Sequence, residues 1–329
     1  MNVQSVRDLK LQIALELFTP HLNDLIQRST LPTLDHLQFP ILPMRIGIGI
    51  GIGLRPGEFS LAIRVRERIP QIDQILQRLI AMAHNEVDIV ETGQVRLFAP
   101  AIDPQTLRSR CRPLLIGCSV AHVTATAGTL SFMARHNKTN RAVLVSNSHV
   151  FAHSGDAKIG DGITQPGRVD GSAEPIGALL DYVPLKLDGS NQVDAAIAVV
   201  DPAIELQSNS IPGIGNFTLV AGGDVLPNMS VTKVGRTSGL TRGVVTAVEF
   251  DHILVDTEIG SATFDGQIEI RGTEHAFSQL GDSGSLVVSD QNQAIGIVFC
   301  GNEHANNGLG VTYANPLPKV MDALNLSPL

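Results

Sequence analysis

From about residue 114 onward the sequence predicts an all-β barrel or sandwich, and the first hundred residues predict a small α+β unit. Beyond residue 114, short apolar–polar alternations recur with turn signals roughly every 8–12 residues, which is typical of barrels and sandwiches. Helical periodicity returns near the C-terminus, where it predicts a helix over residues 318–324. Because the chain has 329 residues and one core usually serves about 150, two domains are expected.

The N-terminal unit is predicted from apolar spacing. One helix is expected over residues 5–28, with Pro20 as the place where it would break. Strict Ile–Gly alternation over Ile46–Leu54 predicts a strand with a bare backbone face, against which another element packs. The same letters occur in nucleotide-binding loops, but those lead into a helix, so this alternative is disfavoured. Further spacing predicts a second strand at 59–66, a helix at 69–82 and a closing strand or hairpin at 87–97.

Prolines at positions 100, 104 and 113 predict a linker between the two parts of the chain. The expected division is an N-terminal α+β domain over residues 1–100, a linker over 101–113 and a β domain over 114–329. For the N-terminal domain we hypothesise a regulatory or partner-binding role, and a merely stabilising role has equal weight.

The composition predicts an aliphatic core, because 43% of residues are hydrophobic, 4% are aromatic and no tryptophan is present. The formal net charge is −8 and no basic run occurs, which argues against binding to nucleic-acid phosphates. The first residues lack the basic and apolar segments of a signal peptide. The longest apolar run, residues 46–54, is far shorter than the roughly 20 residues that a membrane span needs, so no membrane contact is expected.

The three cysteines, Cys111, Cys118 and Cys300, form an odd number without the spacing of a disulfide framework. Secreted enzymes of this size often carry paired cysteines, so the pattern favours a reducing compartment, and we expect a cytoplasmic protein. No histidine or second cysteine stands at zinc-ligand spacing, so neither a metal nor another cofactor is expected. The sequence leaves the oligomeric state open.

Ser283 is the candidate nucleophile. It lies in Gly281-Asp282-Ser283-Gly284-Ser285, a turn of small residues that leads into the apolar strand of residues 286–288. A serine hydroxyl is a poor nucleophile alone and needs a base and an orienting acid elsewhere in the chain.

His149 is the candidate base and Asp194 the candidate acid. His149 follows an apolar strand at residues 143–145 and a few small polar residues, which places its imidazole at a strand end. Asp194 stands at the mouth of the apolar strand Ala195–Val200. A carboxylate there is costly to desolvate unless it is hydrogen-bonded, and orienting a histidine supplies such a bond. The weaker rivals are His153 for the base and Asp181, Asp188 and Asp201 for the acid.

The order His149, Asp194, Ser283 differs from that of α/β-hydrolases, in which the serine comes first and within Gly-x-Ser-x-Gly. On a chain of short strands, this order resembles the trypsin- and chymotrypsin-like serine peptidases. More closely, the chain resembles the bacterial trypsin-like peptidases related to the plant narrow-leaf proteins. The resemblance spans about residues 111–326; it rests on the segments around these residues and on two more, Lys233–Thr241 and Ala314–Leu317.

The resemblance implies a chymotrypsin-like double barrel with a C-terminal helix, preceded by the α+β domain. It implies a catalytic triad in which Asp194 orients His149 and His149 takes the proton of Ser283. The backbone amides of Gly281 and Ser283 would form an oxyanion hole. The residues implied for the substrate pocket are Phe277, Val298, Phe299 and Gly301.

Three positions depart from the family pattern. Phe277 falls where trypsin has an acid at the pocket floor, so a small or apolar substrate side chain is expected rather than a basic one. Phe299 falls where a serine usually supports the aspartate, so that support must come from elsewhere. In secreted members of the family, the aspartate at the position of Asp282 pairs with the N-terminal amine that zymogen cleavage releases. This sequence shows no segment near residue 114 that resembles such a new N-terminus.

The resemblance therefore predicts a serine endopeptidase that acts on peptide or protein substrates through an acyl-enzyme. The main alternative is a catalytically silent module that keeps the fold and serves in binding or as a scaffold. A third alternative is a hydrolase of non-peptide acyl substrates.

Overall fold

The computed structural model describes residues 1–18, 45–66, 68–92, 96–97, 106–171, 174–219 and 224–329. Within these ranges, the chain forms two large β-sheets of thirteen and eight strands. The predicted helix beyond residue 18 and the predicted linker residues 101–105 lie outside the described residues. No helix in the described ranges has the length and apolar character needed to cross a bilayer.

The N-terminal unit places two helices on a short run of strands. The side chain of Asn2 caps the first helix by accepting the amide N–H of Ser5, and Pro70 begins the second helix with its preset φ. Its elements are α1 (Val3–Ile13), a π-helical turn (Ala14–Phe18), β1 (Ile46–Ile52), β2 (Phe59–Val65), α2 (Pro70–Met82), β3 (Val87–Glu91) and β4 (Arg96–Leu97). β1 pairs antiparallel with β2, and β2 pairs parallel with β3.

The first barrel is an aliphatic sheet that curls into a half-barrel. Its region contains β5 (Leu114–Leu115), β6 (Ser119–His122), β7 (Gly128–Thr129), β8 (Phe132–His136), β9 (Arg141–Ser146), α3 (Ser148–Phe151), β10 (Gly162–Thr164), β11 (Pro175–Tyr182), β12 (Ser190–Asn191), β13 (Ala196–Val200), β14 (Leu206–Gln207), β15 (Ser210–Ile211) and β16 (Gly215–Asn216). The sheet runs in the order β8–β9–β13–β11–β10–β6–β7. The C-terminal strand β25 (Leu326–Pro328) pairs with β8 and forms one edge of this sheet, and β7 forms the other.

The second barrel is a closed ring of six strands. Its region contains β17 (Ser230–Gly235), β18 (Gly239–Asp251), β19 (Ile253–Thr257), β20 (Gly260–Phe264), β21 (Gln267–Gly272), β22 (Leu286–Ser289), β23 (Ala294–Asn302), β24 (Val311–Pro316), α4 (Leu317–Ala323) and β25 (Leu326–Pro328). The ring runs β17–β18–β21–β24–β23–β22 and returns to β17. The predicted double barrel with a C-terminal helix is therefore confirmed.

The N-terminal unit continues the sheet of the second barrel. β18 is long enough to pair with β17 through its first half and with β1 through its second. Arg64 of β2 forms two hydrogen bonds of 2.6 Å to the carboxylate of Glu269 in β21, and both side chains are buried. Burial opposes the charge of Arg64, but the carboxylate of Glu269 outweighs it and holds the arginine pKa above its ordinary value. The N-terminal unit and the second barrel thus share one sheet and one buried ion pair.

The Ile–Gly alternation forms the strand that the sequence predicts. Ile46, Ile48 and Ile50 are fully buried in the core shared with the second barrel. Gly47 and Gly49 turn their bare face to the ring of Phe250, which leaves no room for a Cβ atom at either position. The nucleotide-loop alternative is wrong, because β1 leads through a turn into β2 rather than into a helix.

Two other expectations meet a different outcome. The predicted closing strand at residues 87–97 forms as β3, but β4 leaves it and lies between β19 and β23. Within the predicted linker, Arg108 is buried and donates hydrogen bonds to the carbonyls of Arg236 and Thr237 at 2.8 and 3.2 Å. The proposed division at residues 100 and 113 stays a prediction.

The close packing at Gly49 yields a stability prediction. A Cβ added there would stand 2.5 Å from Cδ2 of Phe250, so Gly49→Ala should lower the free energy of unfolding by about 1–3 kcal/mol through overpacking. Gly189 has ordinary φ and only Lys186 within 4 Å of an added Cβ, so Gly189→Ala should change stability by less than about 0.5 kcal/mol. Denaturant unfolding of both variants checks this, and equal stabilities would contradict the packing argument.

Candidate active site

The structure brings His149 and Asp194 together at the end of the first barrel. β9 ends at Ser146, and the short helix α3 starts two residues later, so His149 projects from the first helical turn. Its Nδ1 lies 2.5 Å from Oδ2 of Asp194, and the two side chains are 12% and 5% exposed. Since a carboxylate only accepts hydrogen bonds, Nδ1 carries the proton and Nε2 presents a lone pair.

Backbone groups satisfy the rest of the Asp194 carboxylate. Its Oδ1 accepts the amide N–H groups of Ser148 at 2.8 Å and of His149 at 3.2 Å. The amide of Asp194 itself donates to Oδ1 of Asn315 at 2.5 Å, and its carbonyl accepts the side-chain amide of Asn147 at 2.7 Å. These bonds offset the desolvation of the carboxylate. They also supply the support that Phe299, which has no hydroxyl, cannot give.

Ser283 lies on the second barrel with its side chain fully buried. Its hydroxyl donates to the carbonyl of Phe299 at 3.2 Å. Its own carbonyl accepts the amide of Thr129 at 2.7 Å, and Ser283 O and the side chain of Val150 both lie within 3.0 Å of where a Cβ of Gly128 would stand. The serine therefore faces the neighbourhood of α3, although in the described residues Nε2 of His149 has no hydrogen-bond partner.

The turn that carries Ser283 requires glycine on both sides. Gly281 has φ +95°, and a Cβ there would collide with the guanidinium of Arg236 and the hydroxyl of Thr237. Gly284 has φ +96°, and a Cβ there would collide with the carbonyl of Thr129. In the part of the chain that the structure describes, the amides of Gly281 and Ser283 donate no hydrogen bond.

Asp282 fixes this turn from the inside. Its carboxylate accepts the Nζ of Lys233 at 2.8 Å, and both side chains are fully buried. It also accepts the amides of Thr237 and Ser238 at 3.0 and 3.1 Å and that of Gln279 at 2.9 Å. Burial favours protonation of Asp282, but Lys233 and these donors outweigh it and hold the pKa of the carboxyl below its ordinary value.

Lys233 is the buried counter-ion of Asp282, a partner that the sequence analysis did not predict. It occupies the charge position for which the family pattern suggested a newly released chain terminus, so Asp282 is neutralised as soon as β17 and the turn pack together. The available signal was one charged residue in the short segment Val231–Val234, whose other members are uncharged. Arg236, three residues after Lys233, is buried and makes two hydrogen bonds to Asp170 of the first barrel at 2.6 and 2.8 Å.

Three of the four implied pocket residues have their side chains in packed cores. The ring of Phe277 is fully buried, and its Cδ2 lies 2.7 Å from where a Cβ of Gly243 would stand. Val298 belongs to the same core. Phe299 packs its ring on Phe264, with centroids 4.7 Å apart. The fourth, Gly301, pairs with Arg96 of β4.

A small cavity lies beside His149, between the first barrel and the β19–β20 hairpin. Ser148, Ser154 and Asp194 line it on one side, and Thr257 lies on the other. The hydroxyls of Ser148 and Ser154 and Nε2 of His149 are buried without a partner in the described residues. Three polar atoms that lack protein partners therefore border one cavity. Among the residues that the structure describes, no three His, Cys, Asp or Glu side chains are grouped to hold a metal.

Comparison with known proteins gave one family match and several similar solved structures. The model of the Nal1 C-terminal domain matches residues 204–320, which confirms the resemblance indicated by the motifs. Among solved structures, the chain is similar to Cellulomonas bogoriensis chymotrypsin, with 16% identity, a TM-score of 0.47 and coverage of 66% of this chain and 98% of the other. It is also similar to Thermobifida fusca protease A, with 16% identity, a TM-score of 0.47 and coverage of 65% of this chain and 97% of the other. A third similar structure is the Rv3671c protease from M. tuberculosis, with 15% identity, a TM-score of 0.39 and coverage of 70% of this chain and 96% of the other. Comparison with curated protein sequences gave no match.

The buried pair of Lys233 and Asp282 predicts a large stability effect. Lys233→Met removes the cation and leaves a carboxylate buried without its counterion, which typically lowers stability by about 3–5 kcal/mol. As a control, Arg7→Met breaks the pair with Glu249, whose side chains are 40% and 44% exposed, and such pairs contribute about 0–1 kcal/mol. Urea unfolding of both variants measures the difference. A Lys233→Met protein as stable as the control would show that Asp282 does not depend on the lysine.

Proposed function

We propose that this protein is a serine endopeptidase that cleaves peptide bonds through an acyl-enzyme, with Ser283 as nucleophile, His149 as base and Asp194 as the orienting acid. The observation that supports it best is the state of the imidazole. With Nδ1 bonded to Asp194, Nε2 of the neutral imidazole keeps a lone pair that has no partner in the described residues, beside a cavity that Thr257 and Phe264 of the second barrel also line. A histidine held in this tautomer is ready to accept a proton.

The proposed reaction moves one proton in each direction. As Oγ of Ser283 bonds to the substrate carbonyl carbon, Nε2 of His149 takes the hydroxyl proton, and Asp194 stabilises the imidazolium. The carbonyl oxygen gains the negative charge and accepts the N–H groups of Gly281 and Ser283. Collapse breaks the C–N bond, and the imidazolium returns its proton to the leaving amine. A water molecule then repeats the sequence on the acyl-enzyme and releases the acid.

This mechanism requires the Ser283 hydroxyl to change its hydrogen-bond partner. In the structure it donates to Phe299, and a rotation about its Cα–Cβ bond would exchange that acceptor for Nε2 of His149. Exchange of one hydrogen bond for another costs little, because each contributes only about 0.5–1.5 kcal/mol net. The reactive arrangement is therefore within reach when a substrate occupies the cleft.

The same hydrogen bond favours the second candidate function, a catalytically silent module that binds or scaffolds other proteins. If Ser283 stays on the carbonyl of Phe299, the fold keeps its shape without a nucleophile. The arrangement around Asp194 weighs against this alternative, because a buried carboxylate adds nothing to a barrel that an apolar side chain would not supply. A non-peptide acyl hydrolase would use the same three side chains, and comparison of casein with simple esters separates it from a peptidase.

The substrate and setting follow as further parts of the proposal. Phe277 stands, by the resemblance, where trypsin has an acid, and its ring is packed in the core, so it offers no charge to a basic side chain and we propose a small or apolar side chain before the cleaved bond. All three cysteines are buried free thiols, which fits a reducing, cytoplasmic setting. No cofactor takes part. The partner is a peptide or protein, and the N-terminal unit is a candidate for regulation or for binding a further protein.

Covalent labelling tests the nucleophile directly. A fluorophosphonate probe should modify the wild-type protein at Ser283, and Ser283→Ala should abolish both labelling and casein cleavage. Ser131→Ala is the matched control, since Ser131 is also buried and its hydroxyl has no partner in the described residues. It should label and cleave as the wild type does. Labelling at another serine, or none under any condition, would favour the silent module.

The role of Asp194 gives a second test. In Asp194→Asn the retained oxygen can still accept the amides of Ser148 and His149, so the fold should persist, but the new NH₂ group favours the wrong tautomer of His149. We expect kcat to fall about 10⁴-fold while stability changes little. Steady-state kinetics together with thermal unfolding make the measurement. Unchanged kcat in a folded variant would remove Asp194 from the mechanism.

A further inference from the structure

The two-residue strand β4 occupies an unusual place in the sheet of the second barrel. It lies between β19 and β23, with Arg96 opposite Asp256 on one side. On the other side it runs antiparallel to β23, with Leu97 opposite Cys300 and Arg96 opposite Gly301. A segment of the N-terminal unit therefore lies between the β19–β20 hairpin and β23, the second strand after Ser283.

β23 reaches the nucleophile through its main chain. The hydroxyl of Ser283 donates to the carbonyl of Phe299, the residue just before Cys300. An extended peptide paired antiparallel with Gly301 and then Cys300 comes opposite Phe299 with its next residue. Such a peptide carries its following peptide bond toward the hydroxyl of Ser283. The register of β4 is thus the register in which a peptide approaches this serine.

We propose that β4 is an autoinhibitory strand that holds the main-chain positions of a peptide substrate along Cys300 and Gly301. This inference rests on the proposed function. An extended peptide binds an exposed strand edge through main-chain hydrogen bonds. One edge offers each N–H and C=O group once, so β4 and a substrate exclude each other. Cleavage then requires that β4 leave the edge of β23.

The neighbouring residues keep β4 close while leaving it displaceable. The side chain of Asn302, the last residue of β23, donates to the carbonyl of Thr92 at 3.0 Å. Arg66, just after β2, pairs with Asp256 of β19 at 3.1 Å. These contacts tether the segment and give it a high effective concentration at the edge. Because only two residues pair, a substrate has little strand to displace.

The experiment compares proline with alanine at both positions. Arg96→Pro/Leu97→Pro removes the N–H donors of β4, whereas Arg96→Ala/Leu97→Ala removes the side chains and keeps the donors. We expect kcat/KM for casein peptides to rise at least about tenfold in the proline variant, equivalent to about 1.4 kcal/mol, and to stay near wild type in the alanine variant. Cleavage by the wild type without a gain in a folded proline variant overturns autoinhibition and leaves the peptidase intact. If neither variant nor wild type cleaves or takes the fluorophosphonate probe, the proposed function fails first and the inhibition with it.

A second measurement uses the unaltered sequence, in case the proline variant does not fold. An apolar tetrapeptide boronate is bound to the wild-type protein, and amide hydrogen exchange is followed by mass spectrometry. We expect faster exchange at Arg96 and Leu97, with protection retained at Cys300 and Gly301, because the inhibitor replaces β4 on the same edge. Saturating inhibitor that leaves exchange at 96–97 unchanged would overturn the proposal.

Discussion

The buried ion pair between Lys233 and Asp282 is the constraint on which the candidate site depends. Asp282 sits one residue before Ser283, and its carboxylate collects the lysine and the amides that shape the turn. Without a cation, a fully buried carboxylate would either take up a proton or draw water into the loop. The turn that presents the nucleophile would then lose its anchor. Because the lysine comes from a neighbouring strand of the same barrel, folding alone completes the pair, and no cleavage of the chain is needed to supply an amine.

A second ion pair joins the N-terminal unit to the same barrel. Arg64 reaches from β2 to Glu269, and its guanidinium lies 5.8 Å from the centroid of the Phe250 ring that packs on Gly47 and Gly49. The hydroxyl of Tyr313 donates to the same carboxylate at 3.1 Å, so three elements meet at one buried acid. An N-terminal unit held in this way cannot be removed without exposing the barrel core. For that reason, point changes in β4 are a sharper probe of regulation than deletion of the first hundred residues.

The sequence could predict local strands and the order of the candidate site residues along the chain. Alternation at Ile46–Leu54 predicted a strand packed closely on one face, and the contacts of Phe250 confirm it. Strand-end positions predicted His149 and Asp194 as partners, and in the structure Nδ1 of His149 lies 2.5 Å from Oδ2 of Asp194. Apolar periodicity does not predict, however, which distant strand a segment pairs with. The pairing of β1 with β18 and of β4 with β23 depends on the fold of the whole chain, so no local pattern revealed it.

For the same reason, the sequence did not predict the partners of the buried charged residues. Lys233 and Arg236 stand three residues apart in the sequence, yet one serves the nucleophile turn and the other reaches Asp170 across the barrel interface. Lys233 thus holds the turn that carries Ser283, and Arg236 joins the second barrel to the first. With its backbone held in this way, Ser283 can still rotate its side chain about the Cα–Cβ bond. In the structure its hydroxyl donates to the carbonyl of Phe299. The strand β4 lies on that same stretch of β23, so displacing β4 and turning the hydroxyl toward His149 are changes at one place, and an arriving peptide would drive both.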